Sequence, residues 1–175
     1  GERNYAWIGA TGSAGQQAIN ATGANIVLTG GASGGWWDRE NSADIGLGDS
    51  NTGGQQFVMA NNVTINGGGN ATTYGGAGFG TENGLQQSFD ITGDLTMTGG
   101  AGGAGDFRST PAYIGNQNGG QIDIGVDGKV SLNGGTGAYG GVLIGSLNNV
   151  SAPSVVRIGA VGDIEMTANA GGIWL

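Results

Sequence analysis

The sequence predicts an all-β chain wound as a parallel β-solenoid, a right-handed β-helix of about five coils with three short strands in each. Three observations lead there. First, one cassette recurs five times, and its third strand shows it best: Ile26-Val27-Leu28, Val63-Thr64-Ile65, Leu95-Thr96-Met97, Val130-Ser131-Leu132 and Ile164-Glu165-Met166. The copies are 37, 32, 35 and 34 residues apart, and a fixed unit at such a period signals coils stacked along one axis. Second, no window repeats apolar residues at i, i+3, i+4 and i+7, so no helix is expected. Third, equivalent positions match from cassette to cassette. Stacking like on like explains that match, whereas the unequal neighbours of a β-sandwich do not require it. The right hand follows from the general preference of parallel crossover connections.

The first strand of each cassette reads Ala6-Trp7-Ile8-Gly9, Ala43-Asp44-Ile45-Gly46, Ala77-Gly78-Phe79-Gly80, Ala112-Tyr113-Ile114-Gly115 and Val142-Leu143-Ile144-Gly145. Positions one and three share a face, as strand alternation demands. The closing glycine is read as a corner where φ turns positive. The second strand is expected to turn inward the pairs Phe57/Met59, Phe89/Ile91, Ile122/Ile124 and Val156/Ile158; the first cassette offers only Ala18 and Ile19. Gln16-Gln17, Gln55-Gln56 and Gln86-Gln87 precede this strand, and the fourth cassette keeps Gln121. Turn pairs follow at Gly93-Asp94, Gly128-Lys129 and Gly162-Asp163, where glycine is expected to supply φ > 0. The aspartates there are expected to cap backbone groups.

The third strand carries the expected core. Ile26, Val63, Leu95, Val130 and Ile164 form one interior ladder, and Leu28, Ile65, Met97, Leu132 and Met166 a second. Each such buried side chain contributes roughly 1.5–3 kcal/mol. Single coils are therefore not expected to fold alone. Residues 1–175 read as one solenoid segment, with repeats near 1–35, 36–72, 73–108, 109–141 and 142–172. Gly171-Gly172-Ile173-Trp174-Leu175 looks like the opening strand of a further cassette, so the chain is expected to be a piece of a longer repeat protein.

Composition narrows the function. Glycine supplies 42 of 175 residues, far above the usual ~7%. The 37% of hydrophobic residues, regularly placed, and the 10% of charged ones argue against disorder. With two prolines the chain is not collagen. Net charge is −8, and the five basic residues are scattered singly. Nucleic acid and anionic membranes are poor partners for such a surface. The absence of cysteine removes disulfides and thiol chemistry, and the absence of histidine removes the commonest general base and metal ligand. No apolar stretch reaches bilayer length, and no signal-peptide pattern opens the sequence.

Ala112-Tyr113-Ile114-Gly115 and Gly93-Asp94-Leu95-Thr96-Met97-Thr98-Gly99-Gly100, with their counterparts, resemble repeats of filamentous-haemagglutinin-like exoproteins, which leave bacteria by two-partner secretion. The likeness covers nearly the whole chain, although the family's amino-terminal secretion domain is not seen. It implies a rigid, non-enzymatic rod: a segment of a secreted adhesin or biofilm filament, outside the cell or on its surface. Its partners would be further subunits, joined end to end or laterally, and a cell-surface glycan or protein receptor.

Two groups of residues invite a contact role. Trp36, Trp37, Asp38, Arg39 and Glu40 set paired aromatic faces beside carboxylates, as a sugar-binding surface requires. Asp38, Glu40, Asp44 and Asp49 make the only acidic region dense enough for polysaccharide cleavage. The alternative is a solvated loop whose tryptophans pack on the solenoid flank. Trp7 and Tyr113 share the variable position of the first strand. If Ile8 and Ile114 point in, these two point out, to meet a neighbouring filament or to pack under a loop. No cofactor is expected beyond a structural calcium at the Asp-rich turns, and the repeated calcium nonapeptide of solenoids is missing.

Overall fold

The structure, a computed structural model, describes residues 6–10, 15–31, 42–47, 54–69, 75–81, 86–102, 110–116, 119–138, 140–146 and 154–175. Every regular element in them is a β-strand. The first coil holds β1 (Ala6–Ala10), β2 (Gln16–Ala21) and β3 (Ile26–Thr29), and the second β4 (Ala43–Leu47), β5 (Gln55–Ala60) and β6 (Val63–Asn66). The third holds β7 (Ala77–Thr81), β8 (Gln86–Ile91) and β9 (Leu95–Thr98), and the fourth β10 (Ala112–Asn116), β11 (Gly120–Val126) and β12 (Val130–Asn133). The fifth holds β13 (Val142–Ser146), β14 (Ser154–Ala160) and β15 (Ile164–Thr167), and β16 (Ile173–Trp174) opens a further layer. First strands make one sheet in the order β1-β4-β7-β10-β13-β16. Second strands make another, and third strands a third. Every pairing is parallel, and partners match one to one. The expected three-sheet β-solenoid is what the chain forms.

The register explains the core. β6, β9 and β12 each bury residues one and three and half-expose two and four, the period of two that strands impose. Val63, Ile65, Leu95, Met97, Val130 and Leu132 are wholly buried, each against its counterpart one layer away. Phe79 and Phe89 meet edge to face, ring centres 5.1 Å apart, and join the first sheet to the second inside the third coil.

The ladder weakens at its ends. Ile26 and Leu28 are only partly buried. Ile164 and Met166 are 47% and 57% exposed, although they keep register with Val130 and Leu132. No described strand lies beyond β3 or β15 in this sheet to cover them.

Two expectations are corrected. Phe57 and Met59 do not face the core. Val58 and Ala60 do, and Phe57 is 37% exposed. Gln56 takes the first inward position, in register with Gln17 and Gln87, and a one-residue shift turns every side chain of a strand to the other face. Nor do the repeated glycines generally supply positive φ. Among Gly9, Gly46, Gly80, Gly115 and Gly145 only Gly145 has it (φ 143°), and the turn glycines Gly93, Gly128 and Gly162 do not.

Close approach between layers is what requires glycine instead. A Cβ added at Gly30, Gly67, Gly99 or Gly134 would stand 1.9–2.1 Å from the carbonyl oxygen of Gly75, Thr110, Gly140 or Gly171 respectively. Gly99 therefore sits where the backbone of the next layer crosses the corner. Gly99→Ala is expected to destabilise the fold by about 3 kcal/mol, because backbone rather than a flexible side chain must yield. Gly159, in β14, has nothing within 4 Å of such a Cβ. There Gly159→Ala is expected to be neutral or to stabilise by about 0.5 kcal/mol through the unfolded chain. Denaturant midpoints of the two variants check the pair.

Candidate functional site on the outer faces

With the interior filled by apolar side chains and a hydrogen-bonded glutamine ladder, the outward positions are where a partner can be met. On the first sheet the register aligns Trp7, Asp44, Gly78, Tyr113, Leu143 and Trp174 in one column. Ile114 is wholly buried and Tyr113 is half-exposed on the other face, as expected. Ile8 shares the inward register but is 60% exposed, because β1 is the outermost described strand of its sheet.

The aromatic rings lie on glycine. A Cβ at Gly80 would come 3.3 Å from Tyr113 Cε2, one at Gly9 would enter the Trp7 indole, and one at Gly141 would enter that of Trp174. Gly9, Gly46, Gly80, Gly115 and Gly145, two residues after the first five column positions, leave a trough with no side chains of its own. Tyr113 reaches along it, and its hydroxyl donates to Asp44 Oδ1 at 2.6 Å. Ser42 Oγ donates to the other carboxylate oxygen at 2.5 Å. Trp7 and Trp174 stay 41% and 40% exposed. The result is three flat rings, each set down on backbone.

The second sheet carries two glutamine ladders, one on each face. Inside, Gln56 Nε2 donates to Gln17 Oε1 at 2.7 Å and Gln87 Nε2 to Gln56 Oε1 at 2.8 Å. The same amides also donate to Ile45 O and Phe79 O of the first sheet. Outside, Gln16 donates to Gln55 and Gln55 to Gln86. The sequence displayed the Gln-Gln pairs, but the buried role of the second glutamine was missed. Aligning the pairs with one another, instead of the apolar residues after them, would have found it. The inner ladder stops where Ile122 takes the next position, and Gln87 Oε1 is left buried without a partner.

At the turns, side-chain oxygens cap the next layer. Asn62 Oδ1 accepts from the Asp94 N–H at 2.7 Å, and Asp94 Oδ1 from the Lys129 N–H at 2.8 Å. Asp94 thus has the capping role expected of it. Lys129 pairs with Glu165 at 2.6 Å across an exposed edge, a contact worth ~0–1 kcal/mol. On the outer face of the second sheet Arg157 Nη1 stands 3.2 Å from Asp123 Oδ1, and Gln121 donates to the other carboxylate oxygen.

Trp36, Trp37, Asp38, Arg39 and Glu40 lie outside the described residues. Trp7 and Tyr113 share one column but stand three layers apart. Among the described residues no group of three or more Asp or Glu side chains is placed to hold a metal ion. Compared with protein-family models, with curated proteins and with solved structures, the chain matches none.

Two outcomes follow from the second sheet. Ile122→Gln extends the inner ladder and gives Gln87 Oε1 a donor, whereas Ile124→Gln buries an amide against Phe89 and Ile158. The first is expected to cost about 1–2 kcal/mol less than the second in equilibrium denaturation. The hydrogen bond from Gln121, aided by Arg157 against a small desolvation cost, holds the Asp123 carboxyl below its ordinary value. Its contribution to stability is full above the ordinary carboxylate range and is lost as pH falls through the lowered folded-state value. Asp123→Asn is expected to flatten that acid limb slightly and to lower stability near pH 7 by the same small amount, since the pair is exposed; thermal melts from pH 7 down to pH 2 read it.

Proposed function

We propose that this chain is a structural rod segment of a secreted, surface-displayed adhesin or extracellular filament, without catalytic chemistry of its own. The observation that carries the reading is the uninterrupted one-to-one register of all three sheets through five coils. Each coil adds a constant ~4.8 Å of length, so the number of cassettes sets reach. The stack of parallel ladders sets stiffness, and the outer faces present contacts. The family resemblance of the cassette motifs supports the same reading, as does the lack of clustered basic residues and of histidine and cysteine.

Among the described residues the outermost strand of each sheet has one edge without a strand partner, and such an edge can template pairing with a further subunit. Sedimentation and electron microscopy of the purified chain are expected to show concentration-dependent growth into thin rods or laterally associated filaments. A strict monomer at every concentration counts against assembly. Carbohydrate binding is the second reading, and the flat rings of Trp7, Tyr113 and Trp174 favour it. Retention of such a monomer on a neutral polysaccharide would move the assignment there.

A further inference from the structure

The outer face of the third sheet differs from the other two. In its three central coils the outward positions are Thr64 and Asn66, Thr96 and Thr98, Ser131 and Asn133. All six are uncharged and carry a hydroxyl or an amide. All are half-exposed, and none of these side chains hydrogen-bonds to another described residue. The parallel register aligns them in two columns. Neighbours are about 4.8 Å apart along the stack and roughly 6.6 Å apart along a strand. Val27 and Glu165 bound the first column, while Thr29 and Thr167 continue the second.

We propose that this face binds ice, its partner being crystalline water. A two-dimensional array of hydroxyls and amides at these spacings is commensurate in scale with the oxygen rows on an ice surface. Each group both donates and accepts, so each can join such a lattice without reorientation of the protein. The sheet behind them is tied on both sides by backbone ladders, and threonine is stiff at χ1. The order that binding demands is therefore already present. The face offers no other partner a comparable grip. In its central coils it has no apolar anchor for a protein, no charge for a polyion and no aromatic ring for a sugar, and exposed Val27 lies only at its border.

The test is partition of the purified chain into slowly grown ice, read against an inert protein of similar size, with thermal hysteresis and crystal habit recorded alongside. Severalfold enrichment in ice with faceted crystals is the expected result. Thr96→Lys and, separately, Thr98→Lys are each expected to abolish the enrichment. Ser88→Lys, on the outer face of the second sheet, is expected to keep it. Circular dichroism melts establish that each variant is folded. Exclusion of the unaltered chain from ice overturns the proposal, and so does enrichment that folded T96K and T98K both retain. Capture by an insoluble polysaccharide without ice enrichment overturns it as well, and gives the face to a glycan.

Discussion

Everything in this molecule depends on layers keeping step. A strand here has no turn-mediated partner of its own; its backbone N–H and C=O groups are satisfied by the strands 30 to 39 residues away in sequence. Parallel pairing of that kind closes long loops before it gains hydrogen bonds. What compensates is repetition. Once one coil is placed, the next meets a ladder of backbone groups, two or three aliphatic side chains per sheet and a corner of glycine, all at matching height. Stability is then a sum over neighbouring interfaces, which is why Val63, Leu95 and Val130 are wholly buried while Ile164 of the outermost described strand is not.

Register is the quantity that has to be specified, and apolar contacts specify it poorly. Valine, leucine, isoleucine and methionine substitute for one another along each column with little loss. A ladder of buried amides is less forgiving. Sliding β5 by one residue would turn Gln56 outward, leave Gln17 Oε1 without its donor inside, take from Gln87 Nε2 its bond to Gln56, and carry Phe57 into space that Val58 fills. Polar groups in a core cost far more when unmatched than they contribute when matched. The glutamines therefore act chiefly against wrong pairings. The same holds at the turns, where Asn62 and Asp94 each cap the backbone of one particular neighbour.

The fold was legible because its period is written in the apolar residues of the third strand. The register of that ladder holds through all five coils, but only its three central levels are buried, and Ile164 and Met166, expected inside, are largely exposed. Legibility failed where two periods of two compete. In β5, Phe57 and Met59 outweigh Val58 and Ala60 in hydrophobicity, and only the pairing of Gln56 with its neighbours reveals which set is inside. The glycines misled for a related reason. A sequence shows that a side chain is missing but not whether backbone conformation or a close neighbour demands it, and at Gly99 the neighbour is Gly140 of a later layer. Of the predicted contact residues, Trp7 and Tyr113 were placed outward by alternation alone. The hydroxyl of Tyr113 on Asp44 joins positions 69 residues apart, and no local pattern announces it.

A solenoid separates its structural demands from its functional ones more cleanly than a globular domain. Inward positions answer to the layer above and below, and their chemistry is restricted to what stacks. Outward positions meet only solvent and their own column, so each face is free to take its own character. In this chain the first face pairs glycine with flat aromatic rings, the second sets glutamine beside an exposed ion pair, and the third, in its central coils, is an uncharged array of threonine, serine and asparagine. Because the rod repeats these faces at every level, weak contacts at one coil multiply along the axis. Binding strength then rises with the number of engaged coils. Partners that are themselves periodic, whether a filament, a polysaccharide or a crystal, are the ones able to exploit that multiplication.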